Sequence, residues 1–158
     1  MKAIGFSVFR IMVGMTVLVG GYDKVMKLVL SGFRDNSLGR WFADSIHSDA
    51  VSSHVSVLLP KPLLLAFGYV VPFWELAIGI MIVFGIFRQL GAILGMALMA
   101  VFLVGGEAMH AIDYPNMIID IIQMYVFGIA YFLLYRELQK DPADPLALDT
   151  VLARHGRP

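Results

Sequence analysis

The 158-residue chain has no cysteine. That removes disulfides, thiol catalysis, thiolate metal sites and iron–sulfur ligation, and leaves the redox compartment undetermined. Charge is also scarce. Charged residues make up 15% of the chain, against about a quarter in an ordinary soluble domain. The net charge is zero, so no overall field argues for nucleic acid or an acidic partner. Only four histidines are present. What fills the space is apolar: 59% of residues are hydrophobic and the mean hydropathy is +0.78.

These apolar residues are gathered into four blocks, over about residues 4–22, 63–87, 90–109 and 117–135. A helix needs about 20 residues to cross the hydrocarbon core. The blocks lack the period-two alternation of barrel strands and are too long for them. All-round apolarity fits lipid exposure better than an amphipathic soluble helix. The expected fold is therefore all-α, a bundle of four transmembrane helices in one domain over residues 1–136, with a polar tail over 137–158. The first block has a single basic residue before it, Lys2, and runs longer than a signal-peptide core, so it is read as a retained span.

Basic residues set orientation. Lys2, Arg88, Arg136, Lys140, Arg154 and Arg157 fall on one side, and the last connection, Gly105 to Asn116, holds no basic residue. Both termini are expected on the cytoplasmic side of a bacterial or archaeal inner membrane. In the long first loop, Leu38, Trp41, Phe42 and Ile46 recur at helical spacing. They form either an interfacial helix anchored by Trp41 or an outer cap packed on the bundle. The tail carries Asp141-Pro142 and Asp144-Pro145 as helix stops and is expected to be mobile.

Ionisable groups at membrane depth cost about 2.5–3.5 kcal/mol each on insertion scales, so they need partners. Arg10 shares a helical stripe with Gly14, Val17, Gly21 and Lys24, and Glu75 shares one with Gly79, Ile82 and Ile86. Small residues on both stripes permit close helix approach. An Arg10–Glu75 pair between the first two spans is expected, against a difference in depth. A second cluster, Glu107, His110 and Asp113, repeats every three residues, with Asp120 opening the fourth span. It is either a hydrogen-bonded outer cap or a proton-linked ligand site. A metal site is not expected, because the spacing matches no zinc pattern. A haem held by two histidines is not expected either, because His110 is the only histidine in a span region. The ten methionines and eleven phenylalanines are read first as packing and lipid contact.

Several short motifs stand together. They read Phe9-Arg10-Ile11, Gly14, then Gly20-Gly21-Tyr22-Asp23-Lys24 in the first span. The second adds Pro72, Glu75-Leu76, Gly79, Gly85-Ile86-Phe87-Arg88 and then Gly91-Ala92. This pattern resembles the DoxX/DoxD superfamily of four-helix membrane proteins, over about residues 5–28 and 60–135. The resemblance implies association with membrane redox complexes, among them a thiosulfate:quinone oxidoreductase with a DoxD membrane subunit. Fold analogy does not fix chemistry.

Three functions stay open. In a quinone-reactive subunit, Arg10, Lys24, Glu75, Glu107, His110, Asp113 and Asp120 supply charge and protons. Tyr22, Phe73, Trp74 and Tyr114 line the slot, and electrons come from a partner protein, quinone being the expected ligand. In an accessory subunit the same charges anchor a larger complex. A small proton-linked transporter is the third, disfavoured because no inverted repeat is seen.

Overall fold

A computed structural model describes residues 3–46, 60–103, 118–140, 144 and 146–155. Among these every secondary-structure element is a helix. The elements are α1 (Ala3–Leu30), α2 (Ser37–Ile46), α3 (Lys61–Phe84), α4 (Arg88–Phe102), α5 (Ile118–Lys140) and α6 (Leu148–His155). α1 and α3 are each long and apolar enough to cross a membrane, and α4 is a shorter apolar helix.

α1 and α3 form the central pair. Phe6, Arg10, Val13, Val17 and Leu28 are buried on one stripe of α1, and Leu64, Val71, Glu75, Ile78 and Ile82 on one stripe of α3. Both stripes follow the three- and four-residue spacing of a helix face. Glycines set the distance between the axes. Gly14 lies against Ile82 and Val83, Gly79 against Leu18, and Gly21 against Glu75 and Leu76. As α1 ascends its partner residues on α3 descend, so the two run antiparallel. A methyl group on Gly79 would stand 2.5 Å from the Leu18 Cα. No side chain fits between these backbones.

The outward faces are as apolar as the inward ones. Ile4, Met12 and Val19 on α1, and Leu63, Val70 and Phe84 on α3, are each more than half exposed. Water would penalise such continuous apolar faces, whereas lipid is indifferent to them.

Turn chemistry decides where α3 ends. Gly85 adopts φ 71°, its N–H bonds the Ile82 carbonyl, and the Ile86 N–H bonds the Met81 carbonyl at 2.9 Å. This left-handed cap stops the helix at Phe84, three residues before the end expected from hydropathy. α1, by contrast, continues eight residues past its expected end at 22 to Leu30. Lys27 and Asp23 pair at 2.6 Å along it, and the helix stops only where Gly32 and Phe33 turn to positive φ. α5 likewise runs to Lys140 rather than 135.

The loop helix α2 is a cap. Asn36 receives the Gly39 N–H at 3.1 Å and donates to the Leu65 carbonyl at 2.8 Å, which caps α2 and ties it to α3. Phe42 and Ala43 are buried. Phe42 stacks on Phe102 at 5.5 Å and meets Phe67 edge-on at 5.6 Å. The segment after α5 docks too, contrary to its expected mobility: Asp144 and Ala147 are fully buried. Its reason is electrostatic and lies at Arg10.

Candidate functional site

Arg10 is fully buried on α1. Its Nε donates to Asp144 Oδ2 at 2.6 Å, and Nη1 donates to the carbonyls of Ile82 and Val83 at the C-terminal end of α3. Nη2 reaches the Leu146 carbonyl at 3.2 Å. A cation placed over the last carbonyls of a helix meets the negative end of its dipole. Asp144 is satisfied in turn by the Ser7 hydroxyl at 2.5 Å and the Leu146 N–H at 3.1 Å. Arg88, at the start of α4, stands 3.8 Å from the same carboxylate and also bonds Thr150 at 3.2 Å. Burial pushes the Asp144 carboxyl up. The hydrogen bonds from Ser7 and Arg10, the Arg10 charge and the Leu146 amide outweigh it and hold the group below the ordinary carboxylate range. Four parts of the chain converge on these groups, and the result is a structural lock.

Glu75 sits elsewhere. Its level on α3 is that of Gly21 and Lys24, eleven to fourteen residues and about 16–21 Å along α1 from Arg10. The expected Arg10–Glu75 pair is therefore replaced by two pairs, because an arginine side chain cannot cover that height. Lys24 Nζ donates to Glu75 Oε1 at 2.6 Å, and the ammonium lies 5.1 Å from the centroid of the Phe102 ring. Lys24 is 37% exposed and Glu75 6%. The second carboxylate oxygen, Oε2, is buried and has no hydrogen-bond partner among the described residues.

Glu75 and Lys24 line a cavity of about 300 Å³. Apart from Thr16 its other walls are apolar or aromatic, including Val17 from α1, Leu38 and Trp41 from α2, Phe102 from α4 and Phe127 from α5. A small-molecule site has this composition, an apolar slot with a few polar groups that fix orientation. Glu75 leaves one acceptor free, and the Lys24 ammonium has two N–H donors beyond the one given to Glu75.

A family model matches residues 5–107, well over half of the chain, and its description is DoxX. The chain belongs to the DoxX family. It is an integral membrane protein of that family, and the apolar outer faces of α1 and α3 are its lipid-facing surface. No curated protein and no solved structure gave a match.

Of the expected site residues, this DoxX chain brings Lys24 and Glu75 together and sends Arg10 to the lock. Tyr22 and Phe73 are 57% and 43% exposed and do not line the cavity. Trp74 packs edge-on against Phe67 at 6.4 Å and does not line the cavity. Glu107, His110, Asp113 and Tyr114 lie outside the described residues, as does the side chain of Asp120. Residues the motif reading missed include Asp144, Ser7, Phe102 and Met99. The one usable signal was the demand of a buried Arg10 for a carboxylate, which points to the three tail aspartates, Asp141, Asp144 and Asp149, without choosing among them.

Proposed function

We propose that this DoxX chain is the quinone-interacting membrane subunit of an electron-transfer complex, with the quinone head group held in the cavity against the Lys24–Glu75 pair. Four spans, from α1, α3, α4 and α5, hold it in the inner membrane with both termini cytoplasmic. What supports the reading is the unpartnered Glu75 Oε2 at an apolar, aromatic-walled cavity of about 300 Å³. An unpartnered buried acceptor costs about 1–3 kcal/mol, more if charged, and a ligand hydroxyl removes that cost.

The chemistry assigns each group a task. A quinone carbonyl accepts a hydrogen bond from the Lys24 ammonium. Reduction adds two electrons, supplied by a partner subunit, and two protons, one to each carbonyl oxygen. The resulting quinol hydroxyl donates to Glu75 Oε2, so Glu75 favours the reduced form and Lys24 the oxidised form. The half-exposed Lys24 also links the pair to the polar side of the protein.

Trp41 in the cavity wall makes the reading measurable. In a Trp74→Phe background, titration with a short-chain benzoquinone is expected to quench Trp41 fluorescence saturably. Glu75→Gln is expected to weaken quinol binding about tenfold, the value of a lost charged hydrogen bond. Absence of saturable quenching in the parent protein would leave an anchoring subunit without a quinone site.

A further inference from the structure

The Lys24–Glu75 cavity adjoins two other spaces of opposite character. On one side Lys24, Leu38 and Trp41 also line a cavity of about 310 Å³ whose remaining walls include Asp23, Lys27, Asp35 and Asn36. That vestibule is the most polar of the three spaces and holds most of their charged side chains. On the other side Met99 of α4 and Met124 of α5 also line a groove of about 310 Å³ between those two helices. The groove holds no charged side chain. Its walls include Met96, Ala100, Leu103 and Phe132. Tyr125, Ile129 and Phe132 at its rim are each more than half exposed, on the outward face of α5.

Two details make this groove a passage. Gly128 leaves a gap in the wall: a Cβ there would meet only Met99, at an ordinary contact distance of 3.9 Å. The two side chains at the threshold are methionines, unbranched and with three rotatable bonds, which re-pack at low cost.

We propose that the groove between α4 and α5 is a lateral entrance from the membrane. It holds the hydrocarbon chain of the ligand whose head group occupies the Lys24–Glu75 cavity, with Met99 and Met124 as the threshold between them. The proposal rests on the quinone reading of the cavity. It follows from the order of the three spaces: polar vestibule, mixed cavity, apolar groove. An amphiphile with a ring head and an alkyl chain fits that order in one direction only. A tail-less head group needs no groove and enters by the vestibule.

The cysteine-free sequence allows a direct test. Gly128→Cys in the Trp74→Phe background carries the sole thiol, which is alkylated with a bulky apolar maleimide after the protein has folded and been purified. Trp41 quenching then compares a decyl-substituted benzoquinone with the same ring bearing a methyl group. Alkylation is expected to raise the apparent Kd of the decyl compound at least about tenfold and to leave that of the methyl compound unchanged. The unalkylated variant is the reference against which both compounds are compared. Unchanged binding of the decyl compound after alkylation overturns the entrance, and means that the groove holds only bulk lipid chains. Equal weakening of both compounds also overturns it, since the groove then belongs to the head-group site. Failure of the methyl compound to quench the unalkylated protein removes the quinone reading itself, and the entrance with it.

Discussion

Among the described residues, the Arg10–Asp144 and Lys24–Glu75 pairs differ in what they leave unmade. At the Arg10 end all three guanidinium nitrogens and both carboxylate oxygens of the central pair are used: Arg10 reaches one carboxylate and three carbonyls, and Asp144 takes Ser7, Arg10 and a backbone amide. At the Lys24 end one carboxylate oxygen has no partner among the described residues, the lysine is over a third exposed, and a cavity opens beside them. The first arrangement spends its charges on joining α1, α3, α4 and the C-terminal segment. The second leaves one acceptor unused beside a cavity. Buried charge is thus a poor guide to function on its own, and the unsatisfied atom is the better one.

The comparison breaks most visibly through Arg10→Ala. Removing one member of a buried, hydrogen-bonded pair leaves the other uncompensated, at about 3–5 kcal/mol. A large fall in thermal midpoint in detergent is expected, together with release of the C-terminal segment to proteolysis. A loss no greater than that of Glu75→Gln would show that the Arg10 cluster is not a lock.

Acid titration sharpens the same contrast. The folded Asp144 carboxyl titrates below its ordinary value of about 3.9. The sign follows from linkage: the unfolded chain binds the proton more tightly, so the stabilisation is complete well above pH 4 and is lost as pH falls through the depressed value. The thermal midpoint is expected to decline on acidification below about pH 4. Asp144→Asn is expected to start from a lower midpoint and to show a shallower decline. Equal acid slopes would locate the sensitivity elsewhere.

The smallest effect is expected at the other end. Glu75→Gln keeps the shape, removes a charge that was only half satisfied, and leaves Lys24 able to turn to water. Because the charge left behind, on Lys24, is over a third exposed, the stability change is expected within about 1 kcal/mol. A loss of several kcal/mol in chemical or thermal unfolding would make the Lys24–Glu75 pair a second lock.

How much of this was legible beforehand varies by element. The buried stripes of α1 and α3 were readable, because Arg10, Gly14, Val17 and Gly21 recur at helical spacing and so do Glu75, Gly79 and Ile82. The family was readable from the same glycines and charges. The loop helix around Trp41 was readable as a helix, while its role as a cap required Phe42 to find Phe67 and Phe102. The partners of Arg10 and Glu75 were not readable. Periodicity assigns a residue to a face but says nothing of its height against the next helix.

The sequence alone therefore determined the solvent of this protein and the face of each central helix, since hydropathy and helical period are local properties of the chain. Tertiary structure decided the pairings. Gly14, Gly21 and Gly79 let α1 and α3 touch at one register. That register raises Lys24 to Glu75, leaves Arg10 at the end of α3, and calls Asp144 back from the far end of the chain. Ion pairing acts over a few ångströms, and only the packed helices determine which charges come within that range.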